Sequence, residues 1–226
     1  MRGIILLPVY GRFEITEFCY KSLKSQIAKF DIKVLVIYSE EAQRDLAHKY
    51  GFNTIYAENK PLGKKLNTGL AAALAMQSDF IMTMGSDNTF HDTFWKEISK
   101  ILKMNLPCFG FMDVCFTDWK TKEKMNLRYP GGHGVGRVYQ TPMLRKIASH
   151  RKYVQIKTGK KITVNQTPGL WGDDLNVGLD QSAEAKLKSF NIGIHRFKGI
   201  FVTDWKSDEN IHSFQELKEN TEKATK

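Results

Sequence analysis

The sequence predicts an α/β protein built on a mostly parallel central sheet flanked by helices. Three observations predict it. Short apolar, β-branched runs alternate with segments of helical periodicity through the first half of the chain. Two of those runs, Gly3 to Pro8 and Phe80 to Met84, end abruptly in small or polar turns, as buried parallel strands do at the carboxyl edge of a sheet. The second half is less regular and rich in glycine turns.

Taken in order, Ile4 to Val9 is an apolar strand, and Ile15, Phe18, Cys19, Leu23 and Ile27 follow at helical spacing. Lys33 to Tyr38 is a second strand. Glu40 to Tyr50 is a helix stopped by Gly51, and Asn53 to Ala57 is a weak third strand. Leu66, Leu70, Ala73 and Leu74 share one helical face, and Phe80 to Met84 is the next strand. Phe94, Trp95, Ile98, Ile101 and Leu102 mark a helix, with Thr89 and Asp92 expected as its capping pair. Strand after helix after strand implies right-handed crossovers. Beyond this point Cys108 to Val114 is strand-like, and Gly131 to Gly136 is too glycine-rich for an element interior. Thr141-Pro142 opens a helix, Lys152 to Leu170 is a polar loop or hairpin, and Asp180 to Phe190 is helical. Ile192 to Val202 supplies one or two short strands, and Ser213 with Glu216 caps a final helix. The tetrapeptide Thr-Asp-Trp-Lys occurs twice, at Thr117 to Lys120 and Thr203 to Lys206, as a coincidence or as two equivalent strand ends.

Length and composition bound the function. A chain of 226 residues, 42% hydrophobic and 26% charged, can bury a sizeable core and is ordinary for a soluble globular protein. No apolar run approaches the roughly 20 residues that span a bilayer, and Pro8, Tyr10 and Arg12 stand where a signal-peptide cleavage site would be. Cys19, Cys108 and Cys115 are odd in number, lack metal-ligand spacing and sit among apolar neighbours, so free thiols in a reducing, cytoplasmic setting are expected. The net charge of +10 raises a nucleic-acid or anionic-surface reading. Against it, the basic residues are distributed along the chain, with short clusters at Lys64-Lys65, Lys120 to Lys124 and Lys157 to Lys161, as solvated helix faces and a phosphate-bearing ligand would also require.

Four short stretches in a fixed order carry a resemblance: Pro8-Val9-Tyr10-Gly11-Arg12, an acid after the second strand, Gly63-Lys64-Lys65-Leu66-Asn67-Thr68-Gly69, and Ser86-Asp87-Asn88. The chain resembles a GT-A-fold nucleotide-sugar glycosyltransferase, of the large inverting family 2 that includes cellulose- and chitin-synthase-like catalytic domains. The first three-fifths of the chain carries the similarity. The resemblance implies a single domain over residues 1–226, with about 1–105 binding the nucleotide-sugar and about 106–226 the acceptor. It implies that Pro8, Tyr10 and Arg12 border the nucleotide, that Glu40 or Glu41 approaches the base edge, and that Lys64, Lys65 and Asn67 lie near the diphosphate beside Ser86. Asp87 would be the second acid of the aspartate-x-aspartate motif and would bind Mn2+ or Mg2+, with Asn88 and a later histidine, His212, completing the set. One departure stands out: the motif's first acid is replaced by Gly85.

Transfer from a nucleotide donor needs the leaving diphosphate neutralised and the acceptor hydroxyl deprotonated. Asp87 suits the first task, although a strand-end aspartate is also a common turn former. For the second, Asp180 leads, ahead of Asp174 and Asp173, with Glu184 last. Asp180 opens a helix after the glycine-rich segment, a position that an ordinary helix cap also explains. Trp171 is as plausible in the core as on a sugar. The expected activity is transfer of a sugar, from a UDP-sugar, to an acceptor hydroxyl of a glycan, a protein or modified DNA, with inversion. Two rivals remain. A nucleotidyltransferase would carry a glycine-rich basic signature after the first strand, where only Gly11-Arg12 stands. A nucleic-acid-directed protein, catalytic or not, would use the positive charge.

Overall fold

The computed structural model describes residues 2–150, 152–157, 160–165, 168–208, 210 and 213–224. The first half is built as the alternation predicts. Strands β1 (Gly3–Pro8), β2 (Ile32–Tyr38), β3 (Asn53–Tyr56) and β4 (Phe80–Thr83) pair in parallel, in the order β3-β2-β1-β4. Helices α1 (Phe13–Ile27), α2 (Glu41–Lys49) and α3 (Leu62–Ala75) connect them.

Both faces of β1, β2 and β4 are buried, which is why these strands read as unbroken apolar runs. Ile5, Leu7, Val34 and Val36 point to one side, against Tyr20, Leu23 and Ile27 of α1 and Phe94, Trp95 and Ile98 of α4 (Phe94–Leu102). Ile4, Leu6, Leu35 and Ile37 point to the other. There they meet Leu66, Leu70 and Ala73 of α3, Leu144 and Ile147 of α5 (Thr141–Ala148), and Ala183 and Leu187 of α6 (Leu179–Ser189). Each fully buried aliphatic side chain stabilises the fold by about 1.5–3 kcal/mol relative to exposure. Gly51, at φ 72°, ends α2 as expected.

The second half departs from simple alternation. Three short strands escape the periodicity: β5 (Asn88–Phe90), β7 (Lys124–Arg128) and β8 (Val138–Gln140). Runs of three to five residues carry too few alternations to register as strands. They pair antiparallel to β11, β6 and both β4 and β6, respectively. β6 is longer than expected, Cys108–Asp118, and β11 is one strand, His195–Lys206, with a register shift between Phe197 and Phe201. The sheet order continues from β4 through β8, β6 and β11 to β5. Thr89 therefore does not cap α4. It lies in β5, and its hydroxyl accepts the Trp205 indole N–H at 3.0 Å. The hairpin reading of residues 152–170 is realised as a separate ribbon of β9 (Lys152–Lys157) and β10 (Lys160–Asn165). The capping box at α7 (Phe214–Ala224) forms in both directions, with Ser213 N–H donating to Glu216 and Glu216 N–H donating to Ser213 Oγ.

The two Thr-Asp-Trp-Lys segments end neighbouring parallel strands, offset by two residues, with Trp205 opposite Thr117. The offset brings both indoles against Phe18, and the Trp119 and Trp205 ring centroids are 5.6 Å apart. Among the described residues no helix is long and apolar enough to cross a membrane.

Candidate active site

The carboxyl ends of β1, β2 and β4 lie side by side, and polar side chains tie them together. After β1 the chain turns through Gly11 and Arg12, both left-handed, at φ 56° and 47°. For arginine that conformation is uncommon, and its surroundings hold it. The Gly11 N–H donates to Glu40 Oε2 at 2.9 Å, at the end of β2. The Arg12 guanidinium reaches across to the end of β4, donating to Asp87 Oδ2 at 2.6 Å and to Ser86 Oγ at 3.0 Å. Arg12 and Asp87 are largely shielded from solvent, so this pair exceeds a surface salt bridge in strength. Asn210 adds a second donor to Asp87 Oδ2 at 2.7 Å. Pro8 is half-buried at the same rim, and Tyr10 is 52% exposed beside it.

Lys65 points into the protein rather than outward. Its ammonium donates to Val9 O at 2.6 Å, Ser39 Oγ at 2.7 Å and Asn59 Oδ1 at 3.3 Å. Burial draws its pKa down to about 8, against the pull of Glu40. Lys64, one residue earlier, is exposed at the start of α3. Asn67 is buried too. Its carbonyl accepts the Leu170 and Trp171 N–H groups at 2.9 and 3.2 Å, and its amide donates to Trp171 O and Asp173 Oδ1 at 2.8 Å each. One side chain thus fastens the loop 169–178 to α3. The Gly63 N–H donates to Leu175 O at 2.8 Å and the Leu62 N–H to Asn176 Oδ1 at 3.1 Å, completing the seam. A Cβ on Gly63 would stand 1.8 Å from Gly172 O, so only glycine permits this approach. Trp171 is buried in the core beneath the loop, so its sugar-stacking alternative is set aside. Asp174 is exposed on the loop, with no partner among the described residues.

Gly85 has a steric explanation. A Cβ there would lie 2.6 Å from Asn88 Oδ1 and 2.7 Å from Asp87 Oδ1, so the side chains of the next residues fill the space of the missing acid. The Asn88 carbonyl oxygen is committed to the Gly85 N–H at 2.6 Å, and Asn88 is buried. His212 lies outside the described residues. The neighbouring acid is instead Asp204 on β11, paired with Asn88 across the ladder, while the Trp205 N–H donates to Asp87 O at 2.8 Å. Asp204 Oδ2 holds Lys206 at 3.0 Å, and its buried Oδ1 has no hydrogen-bond partner among the described residues. Burial, with the charge of Asp87 added, pushes this carboxyl up to about 7 against the pull of Lys206. Sequence reasoning gave Asp204 no role. The only signal was its place in the repeated tetrapeptide.

Asp180 is the second residue of α6, whose N-cap is Gly178. Its carboxylate packs against Gly134 of the glycine-rich turn and lies 3.8 Å from Nη1 of Arg137, itself only 2% exposed. Thr83 Oγ1, at the end of β4, donates to Gly134 O at 3.0 Å, so the turn is anchored to the same rim. Among the described residues no three His, Cys, Asp or Glu side chains converge as a ready metal site.

Known proteins resemble this arrangement. The family model Glycosyl transferase family 2 matches residues 4–163. No curated protein sequence matches. Among solved structures, the mannosyltransferase PcManGT from Pyrobaculum calidifontis in complex with GDP-Man and Mn2+ superposes with a TM-score of 0.60 at 13% identity, over 99% of this chain and 64% of that one. S. aureus TarS 1-349 in complex with UDP-GlcNAc gives 0.56 at 13% identity, over 93% and 60%. The chain thus spans about three-fifths of the length of these relatives. The curled, mostly parallel sheet is the GT-A architecture, and the chain belongs to glycosyl transferase family 2.

Proposed function

We propose that this protein transfers a sugar from a nucleotide-sugar, most simply a UDP-sugar, to an acceptor hydroxyl with inversion. The single observation that carries the proposal is the joining of three strand ends at one rim: Glu40 on Gly11, and Arg12 on Ser86 and Asp87. That rim is where open α/β sheets bind ligands. PcManGT and TarS were crystallised with GDP-Man and UDP-GlcNAc, which supports a nucleotide-sugar donor here.

Tyr10 offers its ring to the base, with Pro8 beneath and Glu40 at the base edge. Arg12, Ser86 and Lys64 face the diphosphate. Lys65 and Asn67 act one step back: Lys65 holds the end of β1 in place, and Asn67 holds the acceptor loop. A divalent cation, Mn2+ as in PcManGT or Mg2+, fits the donor set. Asp87 Oδ1 has no hydrogen-bond partner among the described residues, and the orphaned Asp204 Oδ1 belongs to the adjoining strand. Such an ion supplies charge neutralisation of the departing diphosphate. Asn88, turned to Gly85, is a poor further ligand.

For the proton acceptor we place Asp174 ahead of Asp180. A general base must reach the acceptor hydroxyl with its oxygens not already engaged. Asp180 has Arg137 beside it, whereas Asp174 stands exposed on a loop whose backbone Asn67 fixes. The inverting outcome follows if this carboxylate draws the acceptor hydroxyl onto the sugar face opposite the diphosphate.

The test is calorimetry with UDP and Mn2+, followed by UDP release from UDP-sugars. Asp87→Asn is expected to weaken nucleotide binding. Asp174→Asn is expected to leave binding intact while slowing turnover by about 10²–10⁴-fold. Absence of UDP and GDP binding by the wild-type chain would sink the reading, and a larger loss in Asp180→Asn than in Asp174→Asn would exchange the two acids.

A further inference from the structure

A cavity of about 550 Å³ opens between the end of α1 and one face of α4. Its volume is that of a small-molecule site, which runs roughly 300–1,000 Å³. It lies far from the rim. Arg12 stands at the start of α1 and Gln26, which lines the cavity, stands near its end, about 20 Å along the helix.

Three features of the walls point to a ligand. The first is aromatic. Phe30, just past α1, is 39% exposed, and its ring stands 5.7 Å from that of the buried Trp95, the two planes tilted by 36°. The second is charge. Lys96, Lys100 and Lys103 follow one another at helical spacing on α4 and just beyond it, so that three exposed ammonium groups line one hollow. Against them the lining holds a single carboxylate, Asp92. Lys100 is shared with Glu97 at 2.8 Å, whereas Lys96 and Lys103 have no ion-pair partner among the described residues. The third is an unmet pair of polar atoms. Trp95 Nε1 and Gln26 Oε1 are buried, and neither has a hydrogen-bond partner among the described residues. One is a donor and the other an acceptor, and both belong to residues of this one cavity. The rest of the Gln26 amide is committed, its N–H donating to Phe90 O at 2.7 Å, which ties α1 to β5 beneath the hollow. Buried polar atoms are ordinarily paired, so two unpaired ones of opposite kind beside a hollow mark the place of a missing partner.

We propose that this cavity binds a free nucleoside monophosphate, at a second site separate from the rim. The phosphate meets Lys96, Lys100 and Lys103. The base lies along the Phe30 ring, and its edge, which carries donors and acceptors together, matches Trp95 Nε1 and Gln26 Oε1. The site stands on these walls alone and does not depend on the transferase reading. A nucleic-acid strand is the weaker fit. The three lysines span seven residues of helix, about 10 Å, too short for a run of phosphates. An acidic peptide would satisfy the lysines but brings no ring edge to the indole and the amide.

Calorimetry of the full chain with AMP, alone and with UDP in excess, tests this. One AMP per chain is expected, with a Kd that UDP changes less than twofold, and inorganic phosphate should bind at least tenfold more weakly than AMP. Lys96→Gln/Lys103→Gln is expected to raise the Kd for AMP tenfold or more, and Phe30→Ala at least fivefold through lost stacking. Ser99→Phe, which puts a ring into the cavity without removing charge, should abolish AMP binding. Lys124→Gln/Lys146→Gln removes two exposed charges from β7 and α5 and should change the Kd less than twofold. Several results would overturn the proposal: no AMP binding by the wild-type chain, displacement of AMP by UDP, equal weakening by the Lys124/Lys146 control, or tighter binding of hexaglutamate or of a six-nucleotide single strand than of AMP. Circular dichroism of each variant separates lost binding from lost folding. A wild-type chain that binds AMP but no UDP would leave this site standing and remove the transferase.

Discussion

Two buried lysines close two regions of this molecule, and they do different things. Lys65 gathers Val9 O, Ser39 Oγ and Asn59 Oδ1 where β1 and β2 end, in a region whose other polar groups are also paired. Lys186 gathers two carbonyls, His150 O and Gly169 O, which flank a two-stranded ribbon separate from the main sheet. Burial draws both ammonium groups down to about 8, against the pull of Glu40 in one case and Asp173 in the other. The same device ties strand ends at the ligand rim in the first region and the two ends of a separate ribbon in the second. A buried cation is thus no guide to function by itself; what its acceptors belong to decides.

The largest expected effect separates the two lysines by binding. Lys65→Met frees the end of β1 and should weaken UDP at least tenfold in calorimetry, because Tyr10 and Arg12 follow directly from Val9. Lys186→Met should leave UDP affinity within about twofold, since its acceptors flank the ribbon. Equal losses in both variants would erase the distinction. Neither change is expected to cost much stability near pH 7, where relief of a buried charge offsets the hydrogen bonds removed.

Asn67 supplies the next effect. It is the seam between α3 and the loop of residues 169–178, and Asn67→Ala would strand two buried N–H groups, those of Leu170 and Trp171. A loss of about 2–3 kcal/mol by urea denaturation is expected, with faster hydrogen exchange at those two amides. A loss below about 0.5 kcal/mol would mean that the loop is held by Gly63 and Leu62 alone.

This seam marks the boundary of what the sequence made legible. The first four strands and their helices were readable because both faces of β1 and β2 are buried, and burial writes itself as apolar period. That Arg12, Glu40, Ser86 and Asp87 share one rim was readable because they fall at the ends of those strands. The inward turn of Lys65 and Asn67 was not, because their residue types suggest ligand contact and only the tertiary neighbours Asn59 and Leu170 show otherwise. Asp204 was hidden in a strand whose partner, β5, is three residues long. The ribbon was legible as a polar loop or hairpin with the short basic cluster Lys157 to Lys161, but not as a unit that pairs apart from the main sheet.

The third effect is on pH. Each lysine has a folded pKa near 8, below the unfolded value of about 10.4, so the unfolded chain binds more protons between those limits. Stability should therefore rise as pH increases from about 8 to 10.4, by up to roughly 1 kcal/mol per unit from each lysine. Below pH 8 that gain is absent. Asp204 works in the opposite sense at lower pH. Its folded value near 7 lies above the unfolded one, so its contribution is full below about 4 and is lost as pH rises to 7. Urea midpoints should show each lysine-to-methionine variant removing about half of the alkaline rise. An unchanged slope in both variants would contradict the burial of these charges.

The smallest effect lies farthest from either lysine. The reciprocal bonds of Ser213 and Glu216 start α7, which packs Phe214 against Val114 and Phe116 of β6. Ser213→Ala removes one of the two and should cost about 1 kcal/mol. Because α7 joins its own small cluster rather than either face of the parallel sheet, the cost should appear first as faster amide exchange within the first turn of α7. The protection of β1 and β2 should stay unchanged, and so should UDP affinity. If exchange in β1 quickened to the same extent, α7 would be part of the unit that Lys65 closes, and the division between a rigid rim and loosely joined appendages would have to be redrawn with the helix on the other side.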